Sequence, residues 1–232
     1  MKAGAIQLAD VRFRWRPQDP LILDIPALSI AAGERVLIRG PSGSGKTTLL
    51  SLLGGIAAPE AGRVAVLGTD LATLRPARRD AFRADHIGFV FQMFNLVPYL
   101  SLVDNVTLPC RFSAVRRQTS LQNSDSIARD AARLLQHMEL DVNALRGRPV
   151  TELSAGQQQR VAVARALIGA PPLIIADEPT SALDADARHA FLDLLFREVG
   201  RADATLVFVS HDRDLGTRFD RTVALADVNR VT

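Results

Sequence analysis

The sequence Gly40-Pro-Ser-Gly-Ser-Gly-Lys46-Thr47 follows the apolar run RVLIR (35–39) and opens the amphipathic stretch TTLLSLLGG. Glycines at 40, 43 and 45 let the backbone curl until successive N–H groups point inward, and a helix beginning at Lys46 adds the positive end of its dipole. That combination is built to hold a polyphosphate. Lys46 is expected to reach the β- and γ-phosphates, Thr47 to ligate Mg²⁺ and Thr48 to hydrogen-bond the α-phosphate, with Pro41, Ser42, Gly43, Ser44 and Gly45 wrapping the rest. Of the 28 basic residues only Lys2 and Lys46 are lysine, so a lysine at this position is chemically pointed. A glycine-rich strand-to-helix turn with no ligand is the plainer alternative, and the full pattern in its strand and helix setting argues against it.

Two further clusters carry chemistry. Leu173-Ile-Ile-Ala-Asp177-Glu178 is an apolar run ending in two carboxylates, and the carboxyl ends of strands in open α/β sheets are where ligands bind. Asp177 is expected to hold Mg²⁺, and Glu178 to polarise an attacking water as general base. On its own such a pair marks a strand end; beside the phosphate loop it means an NTPase. Leu153-Ser154-Ala155-Gly156-Gln157 stands just before the helical run VAVARALI. Ser154 is placed to cap that helix, and Gly156 permits close approach of a ligand to the backbone.

The elements that must position these groups follow from periodicity. Short β-branched runs at 35–39, 87–91, 173–176 and 205–210 alternate with helical patterns from Lys46, near 156–168 and near 186–199, the rhythm of a parallel α/β sheet. Residues 5–11 and 21–30 read as strands of a small antiparallel sheet, separated by the turn-rich RPQDP. From about 93 to 153 no strand is evident. The polar stretch RRQTSLQNSDS (116–126) reads as a loop, followed by a helix with Ile127, Ala131, Leu134, Leu135 and Met138 on one face. The expected organisation is a single domain, 1–232, with a catalytic core from 1–92 and 154–232 and a helical subdomain at 93–153.

Composition narrows the classes. With 232 residues, 47% hydrophobic and 23% charged, the chain can bury one substantial core. A net charge of +3 is spread over scattered arginines and forms no basic arm, so no nucleic acid is expected. Cys110 is the one cysteine, which excludes an intrachain disulfide and reads as ordinary packing. The first residues, MKAGAIQLADVRFRW, lack the apolar core of a signal peptide. The most apolar later stretches are broken by Gly54-Gly55, Pro59, Arg165 and Pro171-Pro172, so any membrane segment is expected in a separate chain.

Taken together, these motifs resemble the ABC ATPase family, whose signature reads LSGGQ where this chain has LSAGQ. The resemblance covers nearly the whole chain. It implies a P-loop NTPase fold, an α/β RecA-like parallel sheet core with an N-terminal antiparallel β subdomain and a helical subdomain insertion, and it implies ATP and Mg²⁺ as ligands. It further implies that Ser154, Ala155, Gly156 and Gln157 meet the γ-phosphate of ATP held by a second copy, in a head-to-tail homodimer. Gln92 resembles the Q-loop glutamine, which touches Mg²⁺ or the attacking water. Ser181-Ala182-Leu183-Asp184 resembles the D-loop across the dimer seam. His211 resembles the H-loop histidine at the γ-phosphate, whereas His86, His137 and His189 match nothing. Trp15 resembles the aromatic that stacks on adenine, with Phe13 the alternative.

The departures are Ala155, in place of the first signature glycine, and the tail ADVNRVT, which lacks the usual glycine turn. The segment FVFQMFNLVPYLSLVDNVTLPC (89–110) looks like the branch that includes lipoprotein-release and macrolide-exporter ATPases. By that resemblance the chain is a cytoplasmic, peripheral ATP-hydrolysing subunit that drives an integral membrane permease through residues 93–105, where Phe94, Leu96 and Tyr99 suit a docking surface. Mechanical signalling across the membrane and a non-transport ABC ATPase remain alternatives. A P-loop kinase would leave 153–157 and His211 without a role.

Overall fold

The computed structural model describes residues 4–145, 147–181, 183–212 and 214–231, so Lys2 and Ala182 lie outside the described residues, as does the side chain of Ala185. The chain forms two compact units, Met1–Arg83 with Thr205–Thr232, and Ala84–Ala204. In chain order the first unit opens with β1 (Gly4–Phe13), β2 (Leu23–Ala31), β3 (Arg35–Arg39), α1 (Lys46–Leu53), β4 (Ala61–Val66) and β5 (Thr69–Asp70). Helix α2 (Pro76–His86) runs from it into the second unit, which holds β6 (Ile87–Val90), α3 (Leu102–Thr107), α4 (Pro109–Phe112), α5 (Ala114–Asn123) and α6 (Ile127–His137). That unit continues with α7 (Ala155–Leu167), β7 (Leu173–Asp177) and α8 (Ala185–Arg201), and the chain returns to the first unit with β8 (Thr205–Ser210), β9 (Arg221–Ala224) and α9 (Leu225–Val228).

In the first unit, apolar residues in alternation turn one face of β1 and β2 inward, and the two pair antiparallel with Leu8 opposite Leu28 and Val11 opposite Ile25. Strand β4 joins the other edge of β1, with Leu8 opposite Val64, and β5 follows it. This is the antiparallel sheet expected from the sequence. Strand β3 lies parallel between β8 and β9, with Leu37 opposite both Phe208 and Thr222. Val36, Leu37 and Ile38 are fully buried, as are Leu206 to Val209. Such unbroken apolar runs are what strands covered on both faces require. Strands β4, β5 and β9 and helix α2 were not legible in the sequence: β4 starts with three exposed residues, and α2 buries none of its own.

The second unit pairs β6 parallel with β7, Ile87 opposite Leu173 and Val90 opposite Ala176. Helix α7 is buried along nearly its whole length from Val161 and packs on β6. The approach is close enough that a Cβ on Gly88 would stand 2.3 Å from the carbonyl oxygen of Ala166. Helix α6 buries Ala131, Leu134 and Leu135, and Met138 after it, as its periodicity predicts.

The stretch expected to be a loop is instead most of helix α5. Ser113 caps it, accepting from the Arg116 backbone N–H at 3.0 Å. Its buried residues are Arg116 and Ser120, both polar, so there was no apolar stripe to read. The Arg116 guanidinium donates to the carbonyl of Ala166 in the last turn of α7 at 2.7 Å, where a helix lacks internal donors and favours a cation. The Ser120 hydroxyl donates to the fully buried Asp130 at 2.7 Å, which Arg133 also holds. Burial lowers the Arg116 pKa to about 10, against a smaller opposing effect of Cys110 and Asp85. Cys110 is itself buried, which pushes its thiol pKa up. Among the described residues no helix is long and apolar enough to cross a membrane.

Candidate active site

The phosphate-binding loop is fully formed in the first unit. Gly43 and Gly45 take φ values of 80° and 96°, the left-handed backbone that glycine adopts without strain, and Gly45 hands the chain into α1. Lys46 is buried, and its Nζ donates to the carbonyls of Gly40 at 2.8 Å and Pro41 at 2.9 Å. The ammonium thus braces the loop across its own mouth. Thr47 is exposed at the start of α1 while Thr48 is buried. The Ser44 hydroxyl oxygen is enclosed without a hydrogen-bond partner in the chain. An orphaned buried hydroxyl beside a curled run of backbone N–H groups at a helix N-terminus is a cradle suited to an anion.

Trp15, 55% exposed, packs edge-on against Phe13 at 4.9 Å between ring centres. Phe13 is buried in the antiparallel sheet, so of the two aromatics Trp15 is the one with a face to offer. His211 directly follows β8 and is exposed, and the next turn is fixed by the Asp212 N–H donating to Ser210 Oγ at 3.0 Å.

The second unit carries the remaining candidates. Asp177 is the last residue of β7 and half-buried; Glu178 follows it with φ 43°, a left-handed backbone that a non-glycine residue adopts only when its surroundings hold it there. Helix α7 begins as predicted at Ser154, whose hydroxyl accepts from the Gln157 N–H at 3.2 Å while the Gln157 side chain accepts from the Ser154 N–H at 3.0 Å. That reciprocal box uses both side chains to finish the helix end and leaves Ser154 and Ala155 exposed. Among the described residues outside its own helix, a Cβ on Gly156 would touch Leu183 alone, at 3.7 Å. Asp184 caps α8, accepting from the Ala187 N–H at 2.8 Å.

Gln92 is exposed just past β6, and the chain after it is pinned by two residues that sequence reasoning passed over. Arg165 Nη2 and Nη1 donate to the carbonyls of Phe94 and Asn95, each at 2.6 Å. The buried Asn105 side chain donates to the carbonyls of Val97, Leu100 and Ser101 and accepts from the Val97 N–H at 2.8 Å. The signal was present for Arg165, a charge inside the otherwise apolar VAVARALI, because a buried charge must find partners.

Residues 23–181 match the family model described as ABC transporter. The chain belongs to the ABC transporter family. Among its relatives, the macrolide export ATP-binding/permease protein MacB of Rhodopirellula baltica is 41% identical over 226 residues, which is 96% of this chain and 32% of that protein. The lipoprotein-releasing system ATP-binding protein LolD of Chromohalobacter salexigens is 39% identical over 213 residues, 92% of this chain and 86% of its own. The chain therefore spans about a third of the first relative and most of the second. Both agree with the branch suggested by residues 89–110.

Among solved structures, the dimeric post-hydrolysis state of the ATP-binding cassette MJ0796, bound to ADP and Pi, superposes with a TM-score of 0.82 at 35% identity, covering 94% of this chain and 93% of that one. The ABC fold, a P-loop NTPase core with an antiparallel sheet, is thus the one present here. As a member of the family the chain is an ATP-binding, ATP-hydrolysing cassette.

Proposed function

We propose that two copies of this chain assemble head-to-tail, hydrolyse ATP at two composite sites and drive a separate integral membrane permease. The observation that carries the composite site is the start of α7. Its cap is satisfied within the chain, yet it stays exposed, and among the described residues outside its own helix only Leu183 comes near the space beside Gly156. A glycine that its own packing does not demand leaves an approach for a phosphate brought by another copy.

In this reading Gly40 to Thr48 grip the phosphates, with Lys46 neutralising charge and Ser44 gaining a partner. Trp15 stacks on the adenine. Glu178 accepts a proton from the attacking water, while Gln92 and His211 orient that water and the γ-phosphate; ADP and phosphate leave. Ser154, Ala155, Gly156 and Gln157 of the other copy close over the γ-phosphate, and Asp184 lies near the seam. Most of the catalysis is positioning and charge neutralisation. The exposed Thr47 hydroxyl, the half-buried Asp177 carboxylate and the Gln92 amide are oxygen donors of the kind Mg²⁺ takes, and the ion would neutralise developing phosphate charge. MacB is named as an ATP-binding/permease protein and LolD as the ATP-binding protein of a lipoprotein-releasing system, which supports a permease partner and hence a place on the cytoplasmic face of a membrane. Met93 and Tyr99, 79% and 86% exposed, suit that partner's docking.

The test mixes two inactive variants. Lys46→Ala removes the loop's charge; Gly156→Asp sets a carboxylate against the incoming γ-phosphate, and the space at 156 lets it fold. Each alone is expected to lose turnover. A mixture regains part of it, since a heterodimer keeps one site with both halves intact. No recovery on mixing, with both variants folded, rejects the composite site.

A further inference from the structure

We propose that Arg165 is a positioning residue: its buried guanidinium holds the turn at Phe94 and Asn95 and thereby places Gln92, tying it to the helix that carries Ser154 at its other end. This rests on the reading of Gln92 and Ser154 given under the proposed function. Phe94 and Asn95 both sit in the left-handed region, at φ 58° and 50°. Asparagine enters that region readily but phenylalanine does not, and two such residues in succession need support from outside the turn. The local backbone bonds, Phe94 N–H to the Phe91 carbonyl at 3.2 Å and Asn95 N–H to the Met93 carbonyl at 2.5 Å, fold the turn but leave the carbonyls of 94 and 95 to find donors elsewhere.

Arg165 supplies both donors from one planar fork. It is 9% exposed, and burial alone lowers its pKa from the ordinary arginine value. Among the described residues no carboxylate pairs with it, so those two carbonyls are what meet its charge. A cation in the last turn of a helix ordinarily serves that helix's own carbonyls. Here both donated bonds leave α7 for the turn after Gln92. Asn105 fixes the far end of the same segment, so 94–101 is held at two points while Gln92, Met93 and Tyr99 remain exposed.

The consequence is mechanical. Arg165 stands eleven positions beyond Ser154 along the helix, about 16 Å of rigid rod. In the head-to-tail dimer Gln92 serves the chain's own nucleotide and Ser154 the partner's, so α7 links the two sites through this fork.

Arg165→Met keeps the apolar stem and removes the fork. Hydrogen exchange is read first, because it needs no catalysis. Backbone amides over 92–97 are expected to exchange about tenfold faster in Arg165→Met, with 155–164 unchanged. In steady state kcat falls about tenfold while the KM for ATP stays within about twofold, because the phosphate loop is untouched. Arg165→Lys, which satisfies one carbonyl, falls between. Asn95→Gly added to Arg165→Met restores part of kcat, since glycine takes the left-handed turn without help. Unchanged exchange at 92–97, exchange that rises throughout α7, or no rescue by Asn95→Gly overturns the proposal. A wild-type chain without turnover would instead count against the proposed function, and the exchange measurement would still decide Arg165.

Discussion

Glu178 holds a backbone conformation that costs about 1 to 3 kcal/mol for a non-glycine residue, immediately after a strand that needs no such distortion. The left-handed residue ends the strand's extended backbone just past Asp177, so the alternation of β7 no longer sets the direction of the Glu178 carboxylate. One can then serve the metal while the other serves the water. Replacing Glu178 with glutamine keeps the size and the hydrogen-bonding shape but removes the carboxylate proposed as base. ATP binding is expected to persist within about threefold while phosphate release falls at least about a hundredfold. A variant that hydrolyses at the wild-type rate would take the role of base away from Glu178. Asp177 and Glu178 were legible as candidates only because the phosphate loop stands elsewhere in the same chain; on its own such a pair marks a strand end. The left-handed turn at Glu178 was not, since no glycine or asparagine announces it.

Among the elements, helices α5 and α7 show why some were readable and others not. Helix α7 announces itself through a capping serine, Ser154, and an apolar run. Helix α5 presents Arg116 and Ser120 to the interior, and their partners, Ala166 and Asp130, lie further along the chain. A buried polar face looks like a solvated one until its partners are known. The Arg116 site also has a pH signature. Its folded pKa, about 10, lies below the ordinary arginine value, so between the two the unfolded chain binds the extra proton and folding gains stability as pH rises. Below pH 10 the burial penalty is fully present. The stability of the wild type relative to Arg116→Met is therefore expected to be flat from pH 7 to 9 and to rise as pH passes through 10 and 11, measured by denaturant titration at each pH. A difference that shrinks over that range contradicts the burial of a charged guanidinium.

At the scale of the molecule, the proposed function has the cassette hold two halves of different sites, so its turnover is expected to depend on a second copy. With ATP present, Glu178→Gln is expected to elute at twice the mass of the nucleotide-free chain in size-exclusion chromatography with light scattering, because unhydrolysed nucleotide keeps the sandwich closed. Adding Lys46→Ala to it should return the monomer. A Glu178→Gln chain that stays monomeric with saturating ATP would count against nucleotide-held closure. What the sequence by itself determined is the chemistry that depends on neighbours along the chain: the phosphate loop, the strand ending in two carboxylates and the capped start of α7. In each, spacing and residue type already define the local geometry. Only the tertiary structure decided which polar groups are buried and what they hold, Arg116 on the end of α7, Asn105 on the loop at 97–101, Arg165 on the turn after Gln92. Their partners are distant in sequence or are backbone carbonyls, which carry no residue identity, so no local pattern records them.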